Sequence, residues 1–308
     1  MTPRSVLAID AGQTGMKVRL QTPGGRDDLV FHGIDTHESL LPQLAAVVRA
    51  SLERTHATPE ILSAGISGLT ARDADASALL SLVHDTGLRG VTLAHDSTTS
   101  FLGALGDRHG AVVAAGTGVV TLAVGPHEIS RVDGWGYIMG DAGSGYWIGR
   151  EALDAVMRAY DGRGPATGLT DIVRATWPDL SQAYMALQAD ENRVRIVAGF
   201  AADVAVLAAD GDEVSLAITR RAAAELATSA STAIGRVRAD DEVFAVCAIG
   251  GVFRSSALRA AFAEELTAGR SDVEIVAPRG AGIDGVVALA DLAPTHPLTT
   301  AVQRAGTA

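Results

Sequence analysis

The chain has 308 residues, of which 47% are hydrophobic and 34 are glycine, enough for two domains and a large buried core. Its 25 basic and 36 acidic residues leave a net charge of −11. That balance argues against nucleic acid or an anionic membrane as the main partner, but not against a nucleotide, whose phosphates are met locally by N–H groups and Mg2+. The single cysteine, Cys247, lies in an apolar run and excludes an intrachain disulfide or a zinc or iron–sulfur set. The opening residues lead straight into a strand pattern with no signal-peptide character. The uncharged stretch 111–126 is too short and too rich in Gly and Thr to span a membrane. A cytoplasmic protein with no membrane segment is expected.

Taken in order, segments 5–10, 16–21 and 29–34 read as a strand meander with a turn at Pro23-Gly24-Gly25, followed by a helix over 38–55 with Leu41, Leu44, Ala45 and Val48 at helical spacing. A buried strand at 61–66, a helix at 73–85 and a strand at 91–94 come next, and Ser97 or Thr98 is placed to cap the helix that follows. A second meander runs from 111 to 132. Helices are predicted over 144–160, 180–187, 191–209 and 213–238, then strand 243–249, helix 255–268, strand 273–276 and helix 281–292. The last residues, from Pro294, read as a loose tail. The predicted fold is therefore α/β, with two similar lobes (1–106 and 107–293), a cleft between them, and helices inserted in the second.

Two segments look like one device used twice. Asp10-Ala11-Gly12-Gln13-Thr14-Gly15 and Ala115-Gly116-Thr117-Gly118 each follow an apolar strand and enter another. Such a tip exposes backbone N–H groups to phosphate oxygens, and two tips facing across a cleft could hold a nucleoside triphosphate; either one alone is also an ordinary glycine hairpin. No P-loop motif and no dinucleotide-binding G-x-G-x-x-G occurs. What remains is a set of carboxylates at strand ends: Asp10, Asp96 and Asp141. These suit Mg2+ with its water shell or a substrate hydroxyl, while Asp96 could instead cap a helix and Asp141 could support a turn.

The ordered set comprising 10–15, His95-Asp96-Ser97, Gly116-Thr117-Gly118, the block from Gly134-Trp135-Gly136 to Gly149, and Gly250-Gly251-Val252-Phe253 resembles the BadF/BadG/BcrA/BcrD-type ATPase family, including its N-acetylglucosamine kinases in the sugar-kinase/actin superfamily. The resemblance implies two ribonuclease-H-like (actin-like) lobes and ATP with Mg2+ as cofactors. It further implies phosphorylation of the 6-hydroxyl of an amino sugar, N-acetylglucosamine or glucosamine, in amino-sugar catabolism or recycling. By the same likeness Asp96 is the catalytic base and Asp10 holds the metal through water. Gly12, Gln13, Thr14, Gly15, Gly116, Thr117, Gly118, Gly250 and Gly251 meet ATP, and Asp96, Asp141, Gly140 and His37 meet the sugar. A homodimer is expected. Ala11, Gln13 and Val119 depart from the family pattern, and the last removes a hydroxyl near the sugar, leaving the acceptor open. A non-catalytic sugar sensor and an ATP-driven activator are the alternatives on the same fold. The activators build an iron–sulfur site on cysteines, which one cysteine cannot supply.

Overall fold

The computed structural model describes residues 4–12, 14–35, 37–239 and 242–306. Gln13, assigned to the first phosphate turn, lies outside the described residues. The chain divides into two compact units: one comprises the chain up to His109, 124–129 and Ala277 onward, and the other comprises Gly110–Ala123 and Ser130–Val276.

The first unit holds β1 (Val6–Ala11), β2 (Met16–Thr22), β3 (Gly25–Phe31), α1 (Leu40–Thr55), β4 (Ile61–Ile66), α2 (Ala76–Leu82), β5 (Gly90–His95) and α3 (Asp96–Leu105). The second sheet is built from β6 (Gly110–Ala115), β7 (Val119–Val124), β8 (Ile129–Val132), β9 (Phe244–Ile249) and β10 (Val273–Ile275). Between β8 and β9 come α4 (Gly145–Tyr160), α5 (Leu169–Thr176), α6 (Leu180–Ala189), α7 (Arg193–Ala209) and α8 (Glu213–Val237), with α9 (Ser256–Thr267) joining β9 to β10. After β10 the chain forms α10 (Gly282–Leu289) and β11 (Val302–Gly306). The sheet orders are β11-β5-β4-β1-β2-β3 and β10-β9-β6-β7-β8. Leaving β11 aside, both follow one plan: a three-strand meander extended by two crossover strands, the expected ribonuclease-H-like order. β1 pairs antiparallel with β2 and parallel with β4, and β6 pairs parallel with β9.

Each sheet is buried on both faces, which is why the parallel strands read as continuous apolar runs. Leu7 and Ile9 of β1 face the core shared with Leu44 and Val48 of α1 and Leu79 of α2. The alternate residues Val6 and Ala8 pack on Ile283 and Val286 of α10. In the second unit Val113, Phe244 and Val246 meet Leu226 and Ile234 of α8 and Phe262 of α9. Cys247 is a buried core residue there, and burial pushes its thiol up to about 11, so it stays an inert thiol.

Three features differ from the sequence reading. α5 was not predicted, because it is short and sits within a polar connection. The residues expected to be a loose tail are structured: Leu298 is fully buried, and β11 pairs antiparallel with β5, Val302 opposite Ala94. This edge strand carries no apolar alternation, so its backbone pairing leaves no mark in the residue pattern. Finally, the segment from Ala277, expected in the second lobe, belongs to the first unit, where the apolar face of α10 covers β1.

α10 is seated against α3 by direct backbone approach. A side chain on Gly285 would come within 1.8 Å of the Thr99 carbonyl oxygen, and one on Gly103 within 2.2 Å of the Ala281 carbonyl oxygen. Buried Arg19 of β2 fixes the start of the same helix: its guanidinium binds Asp28 at 2.6 Å and Asp284 at 2.5 Å. Asp284 in turn accepts the Ala281 N–H at 2.7 Å. Gly285→Ala is therefore expected to lower unfolding stability by about 2–3 kcal/mol, measured by chemical denaturation, since neither backbone can yield without opening the crossing.

Candidate active site

In the first unit the candidates gather at the carboxyl ends of the parallel strands, where open α/β sheets place their ligands. Asp10, one residue before the end of β1, is level with Gly65 of β4, and Gly65 is level with Ala94 of β5. Beyond β1 the Gly12 N–H donates to the Gly15 carbonyl at 3.1 Å, which brings the two ends of the first turn together. Thr14 is exposed in that turn.

β5 runs directly into α3, and Asp96 is the first residue of the helix. The cap is His95 rather than Ser97 or Thr98, because the helix begins immediately after the strand. Nδ1 of His95 accepts the Ser97 N–H at 3.2 Å. Oδ1 of Asp96 lies 2.8 Å from that same nitrogen. With the nitrogen's lone pair committed to the cap, however, the buried oxygen receives no hydrogen bond among the described residues. Asp96 is thus a carboxylate with unspent acceptor capacity. His37 is exposed, its N–H donated to Oδ1 of Asp35 at 2.8 Å, three residues after Ile34, whose N–H is bonded to the Gly12 carbonyl at 3.0 Å.

Burial holds the carboxyl of Asp10 above the ordinary range; Lys17 opposes this and the charge of Asp96 adds to it. No hydrogen bond to Asp10 offsets the loss of solvent among the described residues. A desolvated carboxylate of this kind fits a cation bound through water, since Mg2+ takes one or two carboxylates and keeps most of its waters and phosphate ligands.

In the second unit the turn 116–118 is held from beneath. The Gly116 N–H donates to the Gly118 carbonyl at 2.8 Å. The carbonyls of Gly116 and Thr117 accept the N–H groups of Gly145 and Tyr146, at 2.7 and 3.0 Å, in the first turn of α4. Asp141 is buried against Gly118, where a side chain would come within 2.6 Å of its Oδ2. Its carboxylate accepts the N–H of Gly136 at 3.2 Å and also that of Val119. Burial raises the carboxyl of Asp141 above its ordinary range, the charge of Asp133 adds to this, and the two N–H donors oppose it.

Asp133 did not emerge from the sequence, yet it organises the whole loop. Oδ1 takes the N–H groups of Gly134 and Asp141, each at 2.8 Å, and Oδ2 that of Ala142 at 3.0 Å. Asp133 and Asp141 both have left-handed backbones, with φ of 60° and 58°. The one available signal was the Asp-Gly pair closing β8. Gly140 packs against Oδ1 of Asp133 and the side chain of Trp135, and Trp135 itself is exposed with the Arg131 guanidinium over its ring.

Gly250 follows β9 with φ 103°, and a side chain there would strike the Ala115 carbonyl at 2.2 Å. It lets the chain pass under the turn and presents Gly251. Gly116, Thr117 and Gly251 line a single cavity of about 710 Å3, roofed by α7 and the start of α9 and contained wholly in the second unit. The structure thus brings together the second turn, Asp141 and Gly251 in one unit, and Asp10, the first turn and Asp96 in the other.

Because the folded protein favours the neutral form of Asp10, ionised Asp10 costs stability at neutral pH. Metal-free Asp10→Asn should resist denaturant better than the wild type at pH 7. The gap should shrink as the pH falls through the raised folded pKa and close once the unfolded chain is protonated too.

The sequence profile of the BadF/BadG/BcrA/BcrD ATPase family matches residues 9–290. An N-acetylmuramic acid/N-acetylglucosamine kinase from Clostridium acetobutylicum is 29% identical over 172 residues, covering 53% of this chain and 56% of that protein. An N-acetyl-D-glucosamine kinase from Dictyostelium discoideum is 42% identical over 72 residues, 23% of each chain. These matches therefore span about half of the first relative and a quarter of the second. Among solved structures, a candidate N-acetylglucosamine kinase from Chromobacterium violaceum aligns with a TM-score of 0.68 and 26% identity over 94% of this chain and 99% of that one. The profile reaches from Ile9 in β1 to Ala290 just past α10 and takes in both turns and the three carboxylates Asp10, Asp96 and Asp141, so the chain belongs to the BadF/BadG/BcrA/BcrD ATPase family.

Proposed function

We propose that the protein is an ATP-dependent kinase that phosphorylates the 6-hydroxyl of an amino sugar, with N-acetylglucosamine as the first candidate acceptor. The observation that carries this reading is Asp96, a carboxylate just past the end of β5 whose buried oxygen receives no hydrogen bond among the described residues. Phosphoryl transfer asks a protein mainly for positioning, charge stabilisation and one acceptor for the hydroxyl proton. Asp96 takes the proton of the sugar hydroxyl as its oxygen forms the new bond to the γ-phosphorus. The bond from that phosphorus to the bridging oxygen breaks, and its electron pair leaves with ADP. Asp10 is the residue that would hold Mg2+ through water, and the chemistry the cation supplies when bound is neutralisation of phosphate charge.

In the turn 116–118 the Gly116 N–H is spent on the Gly118 carbonyl and the Gly116 and Thr117 carbonyls are turned towards α4, which leaves the N–H groups of Thr117 and Gly118 to take phosphate oxygens. Asp141 uses part of its acceptor capacity on two N–H groups and retains lone pairs for sugar hydroxyls. The amino-sugar acceptor is supported by the names of the relatives, N-acetylglucosamine and N-acetylmuramic acid kinases.

A coupled ADP-release assay over N-acetylglucosamine, glucosamine, N-acetylmuramate and glucose tests the reading, with the phosphate position taken from phosphorus–proton coupling in the product. Asp96→Asn should lower kcat by about 10²–10⁴ with ATP binding retained, the range typical for loss of a general base. Near wild-type turnover in that variant would remove Asp96 from the role, and ATP hydrolysis indifferent to every sugar would favour the ATP-driven activator.

A further inference from the structure

The cavity beside the turn 116–118 has an unusual charge for this chain. The protein carries a net −11, yet none of the described residues lining the cavity is acidic, and two are arginines, Arg195 and Arg254. Both are exposed, and neither guanidinium has a hydrogen-bond or ion-pair partner among the described residues. Of the other arginines in this unit, Arg150, Arg221 and Arg270 are engaged by carboxylates, and Arg174, Arg220 and Arg236 are not but lie outside the lining of this cavity. Unpartnered cations in an acid-free cavity of an acidic protein mark a place for an anion.

The two arginines stand at different points of the cavity. Arg195 is one helical turn before Ala198 on α7. The Ala198 carbonyl lies 3.5 Å from where a side chain on Gly145 would be, and the Gly145 N–H is bonded to Gly116. Arg195 is therefore at the end of the cavity next to the glycine turn. From Ala198 the α7 wall continues through Ala202 to Val206 and Ala209, eight to eleven residues on, or about 12–16 Å at the rise of an α-helix. That length suits a nucleotide laid from its phosphates to its base. Val206 is 61% exposed there, an apolar surface with no protein cover. Arg254, in the short 3₁₀ turn Val252–Arg254 after Gly251, belongs to the second wall, which α9 continues.

We propose that these arginines read opposite ends of the nucleotide: Arg195 adds a cation to the phosphates at the glycine turn, and Arg254 lays its guanidinium on the face of the base, whose other face rests on the small apolar residues of α7. This rests on the reading of the protein as a kinase that takes ATP. Recognition of the base is then by stacking and apolar contact. A planar guanidinium suits the face of a ring, and with no carboxylate in the described lining its side-chain acceptors are neutral hydroxyls, on Thr117, Thr219, Ser255 and Ser256, which both donate and accept and so discriminate little between an amino and a keto group on the base. The enzyme should consequently accept other purine triphosphates with little loss.

Isothermal titration of the full chain with ATP and, separately, with adenosine tests both halves. Arg254→Ala should weaken ATP and adenosine alike by about tenfold, and Arg254→Lys should not restore them, because an ammonium lacks the plane. Arg195→Ala should weaken ATP by about tenfold and leave adenosine unchanged, and Arg195→Lys should recover most of the loss, because phosphate accepts a point charge. KM for the sugar should not move in any of the four variants. Unchanged adenosine affinity in Arg254→Ala overturns the stacking assignment, and equal losses of ATP and adenosine in Arg195→Ala overturn the phosphate assignment. If the wild-type protein shows no saturable ATP binding, the kinase reading itself fails, a result distinct from either.

Discussion

The backbone of this protein comes into contact with itself wherever a candidate group must be held, and that close approach is the constraint from which the rest follows. In the first unit, α10 rests on α3 at a distance that leaves no room for a β-carbon at Gly103 or Gly285. In the second, Gly250 passes against the Ala115 carbonyl, and the carboxylate of Asp141 occupies the space a side chain on Gly118 would need. Such contacts are stiff, since packed backbone has no rotamer through which to relax. They put the strand ends, the turns and the helix starts in fixed register within each unit.

The electrostatics follows from that packing. Asp10 and Asp141 are both held above the ordinary carboxylate range, in each case first by burial, and each has a second acid adding to it: Asp96 for Asp10, Asp133 for Asp141. Groups of one sign crowded and desolvated, Asp10 near the end of β1 and Asp141 in the loop between β8 and α4, destabilise a fold and mark candidate functional positions. The partners differ in a useful way. Asp141 is compensated by two backbone N–H donors and braces a turn, whereas Asp10 has no such donor. This is the difference between a carboxylate that shapes a site and one with charge left for a cation.

The two units share a strand plan but carry different loads. The first strand of the first meander carries a carboxylate near its end and is covered by a helix from the far end of the chain. The second begins its turn without one and is instead supported by the N-terminus of α4, whose first N–H groups cap the turn carbonyls. With the Gly116 N–H closing the turn on Gly118 and two carbonyls engaged on the inner side, the N–H groups of Thr117 and Gly118 are left for an anion. The small residues of α7 keep a cavity open alongside, so the pattern that reads as an ordinary buried helix in fact borders empty space.

Much of this was legible from residue order alone. Apolar runs of strand length, glycine turns and helical spacing are local properties, so the two meanders, the crossover strands and the α/β class follow from them, and the order of motifs was enough to indicate the family. Asp10 and Asp96 were visible because β-strands terminate at recognisable turns, whereas Asp141, expected at a strand end as well, lies in the loop between β8 and α4. What the residue pattern could not carry was anything made by distant partners. β11 is a strand because β5 has a free edge, the chain from Ala277 returns to the first unit because β1 has an uncovered apolar face, and Asp133 matters because a left-handed backbone turns three N–H groups towards it. His95 caps α3, in place of the serine or threonine expected, because its ring happens to fold back over the first turn. Only the tertiary structure decided these, since each depends on which backbone groups are left without a partner once the chain has packed, and sequence spacing holds no record of that.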